Sequence, residues 1–225
     1  MNLSRGYCRA LGCGLATLPS TYSRYCSRHR HLSNRHGHPL QTPVRVSELT
    51  PFRNQVKAAM ERNPDSEAWK ILSQRWARIV GHAEEVEAGR QRGQPHNRYE
   101  AQASTIVRSV AVHAEPQEVI LEVFSVYLLQ AWNPHRFKDD KAFRFALANR
   151  LRRLTPMSVQ VYDHKRRGMK TVYRDVSVRV SEFLGMWSAA AFGAGALQFI
   201  DAERKRQEAP REEARRLSAA MENLQ

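Results

Sequence analysis

Acidic residues are missing from the first 47 positions of the chain, although these positions carry seven arginines. Cysteine is limited to three residues between positions 8 and 26, and only seven of the 36 basic residues are lysine. The sequence contains no Gly-rich phosphate loop and no motif of an activated nucleophile. The histidines at positions 82, 96, 113 and 135 are scattered and form no catalytic pattern. These absences favour a binding protein over an enzyme.

The surplus of positive charge is the most unusual property of the composition. The formal net charge is +14 and the isoelectric point is about 10.3. Basic residues concentrate in two zones, residues 1–45 and 159–180, and the second holds six basic residues against two acidic ones. This distribution indicates a polyanionic partner with two contact surfaces, nucleic acid before membrane. The excess of arginine over lysine fits such a partner, because arginine binds phosphate and guanine better than lysine does. A GC-rich genome would produce the same excess of arginine.

The pattern of apolar residues predicts a mainly α protein in four parts. Residues 1–40 are a small module rich in Gly, His and Arg, residues 41–47 a linker, residues 48–209 a helical domain, and residues 210–225 a charged C-terminal segment. Apolar periodicity and capping signals predict helices over residues 48–62, 65–92, 98–113, 117–132, 140–154 and 177–209. Alternating residues predict one β-hairpin at about 159–174 with a basic tip.

The predicted helix over residues 65–92 carries an apolar seam. Its members, separated by three or four residues, are Trp69, Leu72, Trp76, Ile79, Ala83 and Val86. This heptad spacing covers about two and a half repeats, which is short for a stable coiled coil. A bundle helix packed inside the domain is favoured, and self-association or a protein partner through residues 69–86 is the alternative.

Residues 183–200 form an uncharged stretch, FLGMWSAAAFGAGALQFI. Its 18 residues are at the lower edge of the length that spans a membrane, and many of them are the small residues Ala, Gly and Ser. We expect a buried helix in close contact with its neighbours, and a membrane tether is the alternative. The expected location is cytoplasmic, at the nucleoid in a bacterium.

Three cysteines and one histidine have the spacing of a metal site. Cys8 and Cys13 are separated by four residues, and twelve residues later Cys26 and His29 fall on one face of a first helical turn. Three thiolates and one imidazole complete a tetrahedral zinc site without an open position, so we predict one structural Zn²⁺. Rivals for the fourth position are His31, His36 and His38. The alternative is a surface segment of cysteines and histidines that binds no metal. However, a segment with so few aliphatic residues cannot fold without a cross-link such as a bound metal ion.

Residues 7–39 resemble the short treble-clef-type zinc finger of phage and mobile-element DNA-binding proteins, which often precedes an HNH endonuclease domain. The matching parts are the Cys-x₄-Cys knuckle, the aromatic-Cys-x₂-His helix start at residues 25–29, and the ending Gly-His-Pro at residues 37–39. The resemblance implies zinc bound by Cys8, Cys13, Cys26 and His29, with arginines facing nucleic acid. The candidate arginines of this segment are Arg24, Arg28, Arg30 and Arg35. No His-Asn-His arrangement follows downstream, so nuclease activity is not implied.

A second candidate surface is formed by the predicted helix over residues 140–154 and the hairpin. One helix face is apolar, with Phe143, Ala146, Leu147, Leu151 and Leu154. Outside that face lie Arg144, Phe145, Asn149, Arg152 and Arg153. Helix, turn, helix and basic hairpin follow in the order of a winged helix-turn-helix, which predicts base contacts from this exposed face. The wing would meet phosphate through Lys165, Arg166, Arg167 and Lys170. Another nucleic-acid surface or a solvated basic face are the alternatives.

Together these patterns predict a zinc-containing nucleic-acid-binding protein, a DNA-binding accessory or regulatory factor of a phage or mobile element. Duplex DNA is favoured over RNA because single-strand binders use exposed aromatic side chains, and few aromatics lie outside apparent core positions. The alternatives are an RNA-binding component of a ribonucleoprotein and a diverged nuclease or recombinase. A recombinase would need Tyr162 or Tyr173 as its nucleophile, and their place on alternating strands favours packing instead.

Overall fold

The computed structural model describes residues 6–17, 22–156, 158–163, 167–173 and 175–222. These residues form a helical body, with one two-stranded sheet and a small metal-ligand module at the N-terminal end. The helices are α1 Ser27–His36, α2 Val46–Arg62, α3 Glu67–Gln91, α4 Arg98–His113, α5 Pro116–Trp132, α6 Asp140–Arg152 and α7 Val178–Glu222, and the strands are β1 Ser158–Asp163 and β2 Gly168–Tyr173. The prediction of a mainly α fold with one hairpin is confirmed.

Local signals in the sequence account for most helix ends. Helix α4 has the predicted bounds, and the side chain of Asn97 caps it by accepting a hydrogen bond from the Tyr99 N–H. Helix α5 begins with Pro116 in the first helical position, where a missing N–H costs nothing. The Asp139 carboxylate accepts from the Ala142 N–H at 2.7 Å and thereby starts α6. These ends follow from residues near them in sequence.

Helix α5 lies in the middle of the body. It contacts α2, α3, α6 and α7, so it is apolar around most of its circumference. Its fully buried side chains include Val119, Ile120, Val123, Phe124 and Leu128. Each large apolar side chain buried in this way stabilises the fold by about 1.5–3 kcal/mol.

The apolar seam of α3 packs against other helices of the same chain. Leu72, Trp76 and Ala83 are buried, and α3 lies mainly against α4 and α7. The ring of Trp76 stacks on Phe192 of α7 with 6.4 Å between centroids. The interpretation of this segment as a bundle helix is confirmed.

The apolar half of α7 packs closely against the rest of the body. Leu184 and Phe192 are fully buried. A Cβ on Gly185 would lie 2.5 Å from the carbonyl oxygen of Arg144, and one on Gly195 would lie 2.8 Å from Leu72. The small residues therefore allow close approach, as predicted. Within the described chain, the stretch Val178–Pro210 is the one that is long and apolar enough to cross a membrane by length and composition.

The prediction that a helix ends at residue 209 is wrong. Helix α7 continues through Pro210 to Glu222, so the charged C-terminal segment is helical as far as that residue. A proline inside a helix removes one backbone hydrogen bond. Because the helix is exposed over residues 204–210, water can solvate the carbonyl group that loses its donor.

The predicted hairpin is present as an antiparallel pair of strands. Ser158 pairs with Tyr173 at the open end, and Asp163 pairs with Gly168 at the tip. Arg167 next to the tip is exposed and has a φ of 49°, a left-handed conformation uncommon for a residue with a side chain. Lys165 and Arg166 lie outside the described residues, as does the side chain of Lys170.

Candidate metal centre and the basic surface around it

The first two cysteines are presented by a tight turn of the chain. Tyr7 and Ala16 pair across an isolated antiparallel bridge, and the Cys8 N–H donates to the Leu15 carbonyl at 2.9 Å. Between them the chain reverses at Gly12, which has a φ of 73° that a residue with a Cβ rarely adopts. This turn places both sulfur atoms on the same side.

The other two candidate ligands come from the start of α1. Cys26 is the residue before the first helical turn, and His29 follows within that turn. The His29 Nδ1 lies 3.3 Å from the Cys26 sulfur and 3.4 Å from the Cys8 sulfur. The sulfurs of Cys13 and Cys26 are 4.0 Å apart. All four ligand atoms lie within 4.8 Å of one another, so the predicted set forms one cluster.

The rival histidines lie elsewhere. His31 Nε2 is 3.4 Å from a guanidinium nitrogen of Arg35, and His38 Nδ1 accepts a hydrogen bond from the Leu40 N–H. Burial, with the positive charge of Arg35 nearby, lowers the pKa of His36 to about 4. The choice of His29 as the fourth ligand is consistent with this geometry.

The distances fit one tetrahedral metal ion. Metal–sulfur bonds of about 2.3 Å and metal–nitrogen bonds of about 2.0 Å place ligand atoms about 3.5–3.8 Å apart. Three of the six separations, 3.3, 3.4 and 4.0 Å, bracket this value, and no pair is more than 4.8 Å apart. A disulfide needs sulfurs about 2.05 Å apart, and all three cysteines are free thiols. The cluster can therefore hold a single metal ion.

The electrostatics of the cluster also suit a cation. Burial tends to raise the pKa of the Cys8 thiol, but hydrogen bonds from the backbone of Cys26 and Ala10 and from the His29 ring lower that pKa to about 6. For Cys13, a backbone hydrogen bond from Leu15 lowers the pKa, but burial and the neighbouring sulfurs outweigh it and raise the pKa. Neighbouring thiolates repel one another, and a bound divalent cation would relieve that repulsion.

The module docks directly on the helical body. Helix α1 ends at Gly37, whose φ is 84° and whose added Cβ would lie 2.8 Å from the Lys141 carbonyl oxygen in α6. The Asn149 side chain in α6 donates to the Arg35 carbonyl of α1 at 3.1 Å. Backbone of the two parts is therefore in close contact.

The segment predicted to be a linker is part of this interface. Gln41 is 2% exposed; its amide nitrogen donates to the Arg136 carbonyl, and its amide oxygen accepts from the Lys138 N–H. Arg136 in turn pairs with Glu48 at 2.6 Å. These contacts fasten the predicted linker, residues 41–47, to the body, and α2 already begins at Val46.

The described arginines of the module, Arg9, Arg24, Arg28, Arg30 and Arg35, are exposed. Arg35 forms an ion pair with Asp175 at 2.9 Å. Within the described ranges, no carboxylate lies at ion-pairing distance from Arg24, Arg28 or Arg30. The module thus presents three guanidinium groups without an acidic partner beside its metal-ligand cluster.

The predicted exposed face of α6 is partly covered. Phe145 is expected outside the apolar face, but it is fully buried, and α6 contacts both α5 and α7. Asn149 is engaged by α1, and Arg152 is half-buried and donates to the Asn149 side-chain oxygen at 3.1 Å. Arg144 is also half-buried, and Arg153 is exposed. Helix α6 packs against both α5 and α7, and base contacts from its partly exposed residues stay a prediction.

One residue of α6 was missed by the sequence analysis. Arg150 is 5% exposed and pairs with the buried Glu122 of α5. The signal was available, since position 150 falls among the apolar positions 143, 146, 147, 151 and 154. A charged residue at such a position requires a buried partner.

Comparison with known proteins gives no relative, since no family model, curated protein or solved structure matches the chain.

Proposed function

We propose that this protein binds nucleic acid through its N-terminal module, which one structural zinc ion holds in shape. The observation that carries the proposal is the position of Arg24, Arg28 and Arg30 beside the Cys₃His cluster, exposed and with no acidic partner among the described residues. Guanidinium groups in such an arrangement attract phosphate. The resemblance to zinc fingers of mobile elements and the net charge of +14 support the same function.

Zinc is the metal that the donor set favours. Thiolate and imidazole ligands in a tetrahedron suit Zn²⁺, and four protein ligands leave no position for a substrate. Among the described residues, the apolar cluster of the module consists of Cys8, Ala10 and Cys26, with Cys13, Tyr25 and Leu40 packed against it. Because half of these six residues are the metal ligands themselves, the bound ion supplies most of the stability of the module.

The second basic zone adds phosphate contacts from the hairpin in this proposal. Arg167 is exposed beside its tip, and Arg153 at the end of α6 is a further exposed arginine. Base reading by α6, as in a winged helix, is less well supported because Phe145 is buried and Asn149 is bonded to α1. We therefore assign the hairpin to affinity and the module to recognition.

Duplex DNA is the proposed partner, and the protein is an accessory or regulatory factor of a phage or mobile element that acts in the cytoplasm. A single-stranded partner, such as RNA in a ribonucleoprotein, is the second candidate. Tyr7 and Tyr22 in the module are 78% and 93% exposed, and bases stack on exposed aromatic rings. These two exposed rings favour a single-stranded partner, and they therefore weaken the argument for duplex DNA over RNA.

The test measures binding of the zinc-loaded protein to duplex DNA, single-stranded DNA and RNA of one sequence by fluorescence anisotropy. We expect the tightest binding to duplex. Tighter binding to a single strand, lost in Tyr7→Ala, would select the second candidate. Equal binding to heparin and all three nucleic acids would contradict both, because charge alone would then account for the affinity.

A further inference from the structure

A positively charged cleft lies where the module meets the helical body. Its volume is about 380 Å³, and its lining includes Arg35 of α1, Arg150, Arg152 and Arg153 at the end of α6, and Asp175. Ligand pockets start at about 300 Å³, and one water occupies about 30 Å³. The cleft is therefore large enough for a small anion with part of its hydration.

Arg150 at this cleft has an unused donor. Its Nε and Nη2 contact the Glu122 Oε2 at 2.6 and 2.5 Å, while Nη1 has no hydrogen-bond partner among the residues that the structure describes. Arg53 lies 3.0 Å from the other oxygen of Glu122. Two arginines thus share one carboxylate, which leaves a net positive charge behind the cleft. Buried donors are nearly always satisfied, so an unpaired guanidinium nitrogen here indicates a missing acceptor.

The other charged side chains that line the cleft also favour an anion. Asp175 is the one acidic residue of the lining, and Arg35 already pairs with it at 2.9 Å. Arg152 contributes a further guanidinium that is half-buried. Planar guanidinium groups that converge on a pocket match the oxygens of a phosphate group.

We propose that this cleft binds a phosphate group, with Arg150, Arg152 and Arg35 as its donors. The source is a backbone phosphate of nucleic acid or a free phosphate, and only the first of these rests on the function proposed above. Because Arg35 belongs to α1 and the other two to α6, the bound phosphate joins the module to the body.

The first experiment titrates the zinc-loaded full chain with inorganic phosphate at constant ionic strength and follows heat by calorimetry. We expect one saturable site, weakened about tenfold or more in Arg152→Gln and Arg35→Gln, since each loses a charged hydrogen bond. The controls are Arg78→Gln and Arg92→Gln, which are exposed on the body outside the cleft and should bind as the parent does. No saturable site, or equal losses in the controls, would overturn the proposal.

Arg150 needs a variant that keeps the fold. Replacing it alone would leave Glu122 with only Arg53, so Arg150→Gln is combined with Glu122→Gln, which removes both buried charges together. Circular dichroism should be unchanged and phosphate binding should be lost. A folded double variant that binds phosphate as the parent does would overturn the role of Arg150.

A competition arm identifies the source. If duplex DNA without terminal phosphates displaces inorganic phosphate, the cleft takes a backbone phosphate. If duplex and phosphate bind independently, the cleft takes free phosphate and the proposal stands with that source. If the protein binds phosphate but no nucleic acid, only the proposed function is refuted. If it binds nucleic acid but no phosphate, only the proposed phosphate site in the cleft is refuted.

Discussion

At the scale of single residues, the chemistry of the protein is concentrated in a few side chains whose partners are far away in sequence. Cys8 and His29 are 21 positions apart, and Glu122 and Arg150 are 28 apart. The contact in each pair, and any role that depends on it, requires both side chains. Removing one member therefore tests whether the other depends on it.

The metal ligands give the first prediction. Cys26→Ser should release the zinc ion and unfold the module, because structural zinc supplies on the order of 10 kcal/mol of apparent folding free energy. The helical body should survive, since its core does not include the module. Elemental analysis should give one zinc per chain in the parent protein and in the control His31→Ala, and none in Cys26→Ser. Zinc-free parent protein, prepared without chelator, would refute the metal site.

The buried ion pair gives the second prediction. Glu122→Leu should lower the free energy of unfolding by about 3–5 kcal/mol, because it leaves the Arg150 guanidinium buried without a counter-charge. Urea denaturation measures this change. The control is Glu61→Ala, which breaks the exposed pair of Lys57 and Glu61 and should cost less than about 1 kcal/mol. Similar costs for both variants would show that the Glu122 pair is not specially important to the fold.

At the scale of helices, the contact of α6 with α7 depends on the absence of a side chain at one position. Gly185 brings the two backbones together, since an added Cβ would lie within 2.5 Å of the Arg144 carbonyl. The mid-helix Gly81 of α3 has no atom within 4 Å of the same added carbon. The two glycines therefore form a matched pair.

The third prediction compares these two glycines. Gly81→Ala should raise the free energy of unfolding by up to about 1 kcal/mol, because alanine is the better helix former. Gly185→Ala gains the same propensity but forces α6 and α7 apart, and overpacking typically costs about 1–3 kcal/mol. Thermal unfolding should therefore shift in opposite directions in the two variants. A rise in melting temperature for Gly185→Ala would mean that the helices are not in close contact.

At the scale of the whole molecule, the net charge of +14 governs how the protein meets a polyanion. Within the described residues, Arg24, Arg28 and Arg30 of the module are exposed and have no acidic partner. Arginines of the body such as Arg62, Arg90 and Arg136 are paired. Affinity for nucleic acid should therefore depend on where charge is removed as well as on how much is removed.

The fourth prediction concerns salt. If about six phosphates are neutralised, affinity for duplex DNA should fall roughly a thousandfold between 50 and 200 mM salt. Replacing Arg24, Arg28 and Arg30 together by glutamine should weaken binding. It should also make the slope of log affinity against log salt concentration less negative, by the equivalent of about three phosphate contacts. The control removes the same charge from exposed positions of the body: Lys57, Arg78 and Arg92. Equal effects of the two triple variants would mean that long-range charge, and not the module surface, determines binding.

The sequence by itself determined most helix ends and the pairing of Cys26 with His29 at the start of α1. Cys26 and His29 are neighbours on one helical turn, and Asn97 or Pro116 acts on residues next to it in the chain. Interactions over three or four residues depend only on local backbone geometry, so spacing and residue type are sufficient to predict them.

Only the tertiary structure decided how α6 is used. Helical periodicity identifies one apolar face, but it cannot tell how many neighbours surround a helix, and so the burial of Phe145 was missed. The pairing of Arg150 with Glu122 and the bond from Asn149 to α1 join residues that are 28 and 114 positions apart. Contacts at such separations depend on how whole helices pack. The apolar positions around Arg150 indicate that it is buried, but they do not identify its partner.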